Sequence, residues 1–560
     1  MLFLSILLIL TSTAVNFRRD KSILYSRISL IILLMTVLVV LQALSYNFLS
    51  KGVSLYGGLF QTSSFNQTFQ LFIFSITALI MQLSCFYPRK VYLTLNASIS
   101  NLIRNKFIYY NTKIINKMGE QYRIVEYSLM LLFIIMGAIF LMSSNDIVSI
   151  FISIELQSYG LYLLCTLYRN SESSTSAGLT YFLLGGLSSC FILLGLSLLY
   201  ANSGITSLEN YYVITSLSGI NNTDNIWYEA NYVNLSLLII SVGFLFKIGA
   251  APYHFWSPDV YDSIPTIVTT FVAIIPKISI LIFLSEIVHY TGNFYTSSNF
   301  NWTTSLLVSS LFSLIIGTVL GLNQSRIKRL YAYSTISHLG FILLALSINS
   351  LESTQAFIFY LMQYSITNLN AFFILIAIGF TLYVYTHINE EEKKKNATNR
   401  SYSPIQLISD IKGYFNNYPV MALSLAITIY SFVGVPPLIG FFAKQMVLSS
   451  ALDNGYIFLT IIAILTSVIS AVYYLSVINQ IFFEEVKYKL NTMFKDTIMK
   501  GYIFRKNEKS IVQFNVENIV LSNAFSVTIS FFTLIILLFI FSPEESLSLS
   551  NIISIITFNI

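Results

Sequence analysis

The chain has 560 residues, is 55% hydrophobic and only 10% charged, and carries a formal net charge of +6 with a mean hydropathy of +0.72. That composition excludes a soluble globular domain and predicts an all-α polytopic membrane protein. The three cysteines, Cys85, Cys165 and Cys190, have no paired spacing, which excludes a disulfide framework and a cysteine metal cluster. Phe (45) and Tyr (37) are abundant and Pro (10) is scarce, a bias that fits an AT-rich organellar coding sequence.

The start, Met1-Leu2-Phe3-Leu4-Ser5-Ile6, has no basic region and no small-residue cleavage site, so it reads as a first membrane helix. Apolar runs long enough to cross about 30 Å of hydrocarbon fall at 2–16, 23–45, 66–86, 126–143, 146–168, 176–200, 233–252, 264–290, 303–323, 330–349, 354–386, 420–451, 456–483 and 520–541. About fourteen transmembrane helices are therefore predicted. Loops after odd-numbered helices are basic: Arg18, Arg19 and Lys21; Arg89 through Arg123; Arg169; Arg326, Lys328 and Arg329; Lys393–Lys395; Lys487 through Lys509. Loops after even-numbered helices carry Glu209, Asp224 and Glu229, then Glu352, then Glu544 and Glu545, with Lys51 the exception. Alternation of this kind is what the positive-inside rule requires, and it puts both termini on the acidic side. The basic loops read as topology determinants touching anionic lipid such as cardiolipin, with no nucleic-acid partner. The block Glu390–Lys395 reads as a solvated linker.

Two inverted five-helix repeats are expected inside this plan. Gly249-x-x-Pro252-x-x-x-Trp256 in the seventh helix has a counterpart, Gly434-x-x-Pro437-x-x-x-Phe441, in the twelfth. Gly160-x-x-Leu163-Leu164 in the fifth is echoed by Gly340-x-x-Leu343-Leu344 in the tenth. Matching broken helices in halves of opposite topology point to an inverted-repeat transporter fold. The expected divisions are 1–125 (helices 1–3 and a basic loop), 126–290 (first repeat, helices 4–8) and 303–483 (second repeat, helices 9–13). Residues 484–560 hold a basic loop, helix 14 and a C-terminal tail. The helix breaks centre on Gly249 and Pro252, and on Gly434, Pro436 and Pro437.

Ionisable groups at membrane depth are the candidate functional residues, because a lysine at the bilayer centre costs at least ~2.5–3.5 kcal/mol on insertion scales. They are Glu155 (fifth helix), Lys247 (seventh), Lys277 (eighth, beside Pro276) and Lys444 (twelfth), with His338 at the start of the tenth helix's apolar stretch. Lys247 precedes its break and Lys444 follows its own, so both fall on the acidic-side flank. Glu155 and Lys247 are the expected ion pair, leaving Lys277 and Lys444 to exchange protons through water. One charge crossing a potential of ~180 mV costs ~4 kcal/mol, a swing that making or breaking one buried pair supplies. The structural alternatives are helix–helix pairing for the lysines and Glu155, and capping at a helix start for Ser337-His338. Glu286 and His289 read as interfacial, and His254, Trp256 and Asp259 as the break and its loop rather than a metal site.

The stretch Phe246-Lys-Ile-Gly-Ala-Ala-Pro-Tyr-His-Phe-Trp-Ser-Pro-Asp-Val-Tyr261, followed by Asp262-Ser-Ile-Pro-Thr266 and Pro276-Lys277-Ile-Ser279, resembles the antiporter-like subunits of respiratory complex I. Pro-Asp-Val-Tyr after the tryptophan resembles the subunit 2 branch, and Gly434-Val-Pro-Pro-Leu-Ile-Gly-Phe-Phe-Ala-Lys444 fits the same family. Residue bias and length resemble a fungal mitochondrial version. The resemblance implies a proton-translocating, non-redox subunit of NADH:ubiquinone oxidoreductase, with NADH, FMN, Fe–S clusters and ubiquinone held by other subunits and no cofactor or metal in this chain. It implies a relay in which Glu155 and Lys247 form a pair, Lys277 links two half-channels and Lys444 leads to the other face. Implied partners are other membrane-arm subunits, including paralogous antiporter-like ones, in the mitochondrial inner membrane with the basic loops in the matrix. A Mrp-type sodium/proton antiporter subunit, which shares fold and lysines, is the alternative.

Overall fold

In hydrocarbon every backbone N–H and C=O must bond within its own segment, so the apolar runs fold as helices. The computed structural model describes residues 1–15, 22–46, 49, 52–85, 90–91, 124–211, 213, 230–291, 301–382, 385–387, 403, 405–484, 488–490, 499–505, 508–514, 519–520 and 523–559. The N-terminal helices are α1 (Leu2–Val15), α2 (Ser22–Leu44) and α3 (Ser64–Cys85). Next come α4 (Val125–Ser143), α5 (Ile147–Thr166), α6 (Glu172–Ser203), α7 (Ala230–Ile248), α8 (Trp256–Ser263) and α9 (Thr266–Tyr290). The later part holds α10 (Thr303–Leu322), α11 (Ile327–Ile348), α12 (Leu351–Leu382), α13 (Pro419–Val433), α14 (Ile439–Asp453) and α15 (Ile457–Phe482). Helices α16 (Asn523–Leu538) and α17 (Pro543–Asn559) close the chain.

Among the described residues, eleven helices are long and apolar enough to cross a membrane, and three shorter apolar ones lie at Leu2–Val15, Val233–Ile248 and Pro419–Val433. Helices α9 and α11 are buried throughout their apolar windows, with α12 nearly so, and together they form the centre. Helices α2, α6, α15 and α16 turn most of their apolar surface outward, as lipid-facing helices do.

Contacts between connecting segments test the predicted alternation. Loops after even-numbered predicted spans meet one another: Phe60 bridges Ser144, Asp146 bridges Ser207, and Asn454 Nδ2 donates to Ser350 Oγ at 3.4 Å. Loops after odd-numbered spans do likewise. Strand β1 (Lys90–Val91) pairs with β4 (Ile519–Val520), β2 (Tyr385–His387) with β3 (Tyr488–Leu490), and Arg326 bridges Leu407. By this parity α7 with α8 makes one crossing, and α13 with α14 another. The basic loops, read as topology determinants, thus include short paired strands. The predicted linker 390–395, and the basic residues of 16–21 and 92–123, lie outside the described residues.

Both predicted breaks are present and alike. Gly249 (φ +76°) ends α7 and Gly434 (φ +86°) ends α13, each in the left-handed region open to glycine, and each is followed by a cis X–Pro bond, Ala251–Pro252 and Pro436–Pro437. Two readings need correction. Trp256 and Asp259 lie in the helix α8, not in a loop, because the chain resumes helical bonding as soon as the break is passed. The C-terminal tail is a helix, α17, whose Ser550 and Ser554 are fully buried and whose Leu547 carbonyl accepts from Gln355 of α12. Each serine hydroxyl bonds a carbonyl three residues back in its own helix, so a polar-looking segment packs tightly.

Candidate functional site

Position Glu155 faces the end of α7 because a capping box fixes the start of α5: Val148 N donates to Asp146 Oδ2, and Asp146 N donates to Ser149 Oγ. Lys247 stands in the last turn of α7, and its Nζ donates to Glu155 Oε1 at 3.0 Å, with the two side chains 6% and 16% exposed. The expected pair is therefore formed. Beside it lies a small cavity of about 20 Å³ lined by Gln157, Ser158, Tyr162, Lys247, Trp256 and Pro276 among others. The break does not leave its carbonyls bare: Gly249 N and Trp256 Nε1 both donate to Phe246 O, the latter at 2.9 Å. Trp256 also stacks on Tyr181 with centroids 4.7 Å apart.

Lys277 is 2% exposed on the central helix α9. Its Nζ donates to Thr335 Oγ1 at 3.1 Å and sits 5.5 Å from the Tyr261 ring centroid. Thr335 and His338 are three residues apart on α11, hence on one face. His338 is buried mid-helix, since α11 begins at Ile327, and a capping role is excluded. Its Nδ1 is 2.8 Å from Tyr360 Oη, and its ring lies 5.4 Å from that of Phe432, whose carbonyl Lys444 bonds. Tyr360 stacks on Phe341, and Lys444 Nζ lies 5.6 Å from the Phe341 centroid.

Lys444, in α14, reaches back over its break and donates to Phe432 O at 2.9 Å and Val433 O at 2.8 Å. It supplies the freed carbonyls of α13 with donors, the task that Trp256 performs in the other break. A Cβ on Gly434 would meet Lys444 Cδ at 3.0 Å, so the glycine also makes room for the lysine stem.

The structure thus brings Glu155 to Lys247 and strings Lys277 of α9, then Thr335, His338, Tyr360 and Lys444 of the second half, along the interior. Thr335, Tyr360, Tyr261, Gln157 and Ser279 were missed by the sequence reading. Glu286 was read as interfacial; it lines a separate cavity of about 50 Å³ with Gln61, Asn66, His289 and Tyr290. Lys328 was read as a loop charge. It is 1% exposed and donates to Asp262 O (3.1 Å), Ile264 O (2.6 Å) and Ser403 Oγ (2.8 Å), so it caps the end of α8. Arg326 and Arg329 add ion pairs to Asp262 and Asp259 of the same helix. Spacing could have hinted at this: two acidic residues and three basic ones, 64 to 70 positions apart, stand at the ends of neighbouring helices.

The family model described as NADH:quinone oxidoreductase/Mrp antiporter, TM, matches residues 144–470. The chain is 43% identical over 561 residues to NADH-ubiquinone oxidoreductase chain 2 of Rhizopus oryzae, covering 100% of this chain and 99% of that one. It is 34% identical over 370 residues to NADH-quinone oxidoreductase subunit N of Pelagibacter ubique, covering 66% of this chain and 71% of that one. In fold it is similar to a chain of respiratory complex I from Thermus thermophilus with bound aureothin, with a TM-score of 0.65, 21% identity and 97% of each chain covered. It is similar also to a chain of the Mrp complex from Dietzia sp., with a TM-score of 0.70, 17% identity and 98% and 96% covered. At such identities the two solved structures speak to the fold alone, so the slightly higher Mrp score does not outweigh the full-length sequence relative.

Proposed function

Because the chain belongs to the NADH:quinone oxidoreductase/Mrp antiporter transmembrane family, we infer that its buried Glu and Lys residues carry protons across the membrane. It is an antiporter-like membrane subunit of the complex I type, on the chain 2/subunit N branch. In this reading Glu155, Lys247, Lys277, His338 and Lys444 form the relay with water, and electron transfer from NADH to ubiquinone in other subunits drives it. NADH, FMN, Fe–S clusters and ubiquinone belong to those subunits, and this chain serves as a non-redox part of the enzyme.

The single observation that carries the reading is the Glu155–Lys247 pair at 3.0 Å, set against a helix break inside the membrane. Ion pairs and broken helices at that depth mark ion pathways. The two alike breaks support an arrangement of two inverted repeats, and counting the three short apolar helices gives fourteen spans. We place the protein in the mitochondrial inner membrane, with both termini on the intermembrane-space side, basic loops in the matrix and cardiolipin against them. Membrane-arm subunits, paralogous antiporter-like ones included, are its partners. The Mrp sodium/proton reading has the shared fold in its favour, but the relative matched end to end is a complex I chain.

The test is Lys247→Ala in isolated membranes, read by native-gel abundance, NADH:ubiquinone activity and proton uptake into vesicles. Normal assembly with strongly reduced pumping is expected. Normal assembly with unchanged turnover and stoichiometry would sink the relay, and loss of the complex would favour a purely structural pair.

A further inference from the structure

Gln157 stands two residues beyond Glu155 on α5 and is 1% exposed. Its Nε2 donates to Ser279 Oγ at 2.8 Å, and Ser279, two residues beyond Lys277 on α9, donates in turn to Pro276 O at 3.0 Å. One carboxamide therefore ties the helix carrying Glu155 to the helix carrying Lys277. Its Oε1 has no hydrogen-bond partner among the described residues. Gln157 also lines the cavity shared by Lys247, Ser158 and Tyr162. The wall of the cavity is mostly apolar and its room is that of about one water, and Gln157, Ser158, Tyr162 and Lys247 are polar groups on it from which that water draws the two to four partners it needs.

Packing alone does not ask for a glutamine here. A Cβ on Gly137 of α4 would come within 2.7 Å of Gln157 N, so the two backbones touch. The same contact recurs 180 residues later, where a Cβ on Gly317 would come within 2.7 Å of Ser337 N. There a serine suffices, and its hydroxyl simply bonds Ser334 O in its own helix. The close helix contact is satisfied by a small residue, which leaves the amide of Gln157 to be explained by what it bonds.

We propose that Gln157 is a positioning residue: anchored by Ser279, its Oε1 holds a water in the Lys247 cavity, on the route between the Glu155–Lys247 pair and Lys277. This rests on the relay reading given above. A carboxamide suits the task because it accepts one hydrogen bond and donates others, yet takes up no proton itself at physiological pH. It orients the water without becoming a trap on the path.

The test uses Gln157→Leu, Ser279→Ala and Ser279→Thr in the assembled complex, with Lys247→Ala alongside. Complex abundance, NADH:ubiquinone turnover and proton uptake are measured across pH 6–9, a range chosen as roughly that in which the complex is handled near neutrality. Gln157→Leu is expected to assemble and to lose about 10- to 100-fold in coupled turnover, the scale of a misplaced reacting group, with a changed pH profile. Ser279→Ala should lose less, Ser279→Thr should restore the rate, and the Gln157→Leu/Ser279→Ala double variant should be no worse than Gln157→Leu. Unchanged turnover and pH profile in Gln157→Leu, with Lys247→Ala impaired, would overturn the inference while sparing the relay. Unchanged behaviour in both would overturn both. Where Gln157→Leu fails to assemble, Ser279→Ala decides, since it keeps the glutamine's volume: wild-type turnover and pH profile there would overturn the proposal.

Discussion

Replacing Glu155 with glutamine keeps the side chain's shape and removes its charge, leaving Lys247 buried without its counter-ion. The pair is 3.0 Å long and its side chains are 6% and 16% exposed, so it falls under the rule for buried rather than surface pairs. Removing one partner of such a pair costs about 3–5 kcal/mol. The glutamine oxygen can still accept from the charged Nζ, which recovers about 1.5–3 kcal/mol and leaves a loss of about 1.5–2 kcal/mol. With that loss wholly on the turnover barrier, at about 1.36 kcal/mol per tenfold, the rate drops about 10- to 30-fold. The double variant Glu155→Gln/Lys247→Met separates function from folding, because removing both charges together is close to neutral for stability. Its abundance on a native gel should exceed that of Glu155→Gln alone, while NADH-driven proton uptake into vesicles stays lost. A double variant that pumps at the parental rate would refute the reasoning and reduce the pair to packing.

Two further outcomes follow from the packing. Lys328→Met leaves the carbonyls of Asp262 and Ile264 without their donor at the end of α8; at about 1–3 kcal/mol for each unsatisfied group, complex abundance should collapse, and normal abundance with unchanged heat stability would refute the cap. Gly317→Ala drives a methyl to 2.7 Å from Ser337 N and should destabilise the complex by about 1–3 kcal/mol, whereas Gly186→Ala, which meets nothing within 4 Å, should match or slightly exceed the parent in thermal inactivation assays. Equal losses in the two glycine variants would contradict the close contact of α10 and α11.

What could be read from sequence alone was whatever violates the rules of a membrane interior. Lys247, Lys277, Lys444 and Glu155 stood out because charge there is expensive, and Gly249 and Gly434 because a broken helix is rare at that depth. The Glu155–Lys247 pairing followed from the need of a buried charge for an opposite one, since a Glu and a Lys in contact keep each other charged. Thr335, Tyr360, Gln157 and Ser279 obey every rule. Serine and threonine recur throughout these helices, and most bond a carbonyl three residues back, as Thr335 does with Ala332. Nothing local marks the hydroxyl that also accepts from a lysine 58 residues away. Lys328 was hidden differently: beside Arg326 and Arg329 it looked like one more topology signal, and only the fold buries it.

The energies of the site have a graded order. Moving one charge across ~180 mV requires ~4 kcal/mol, and opening a buried ion pair costs about 3–5 kcal/mol. Lys277 and Lys444, by contrast, are held by a hydroxyl and by carbonyls, neutral acceptors worth about 1.5–3 kcal/mol to a charged donor. Separating Lys247 from Glu155 is therefore the costlier rearrangement, of the same order as the work of moving one charge across the membrane. The eight-residue α8 joins the pair to the second half of the chain: at its start Trp256 bonds Phe246 O, one residue from Lys247, and at its end Lys328 grips Asp262 O and Ile264 O. The short helix α8 is thus bonded to the last turn of α7 at one end and to the start of α11 at the other, and a buried lysine with three hydrogen bonds is a firmer anchor than an exposed ion pair worth about 0–1 kcal/mol.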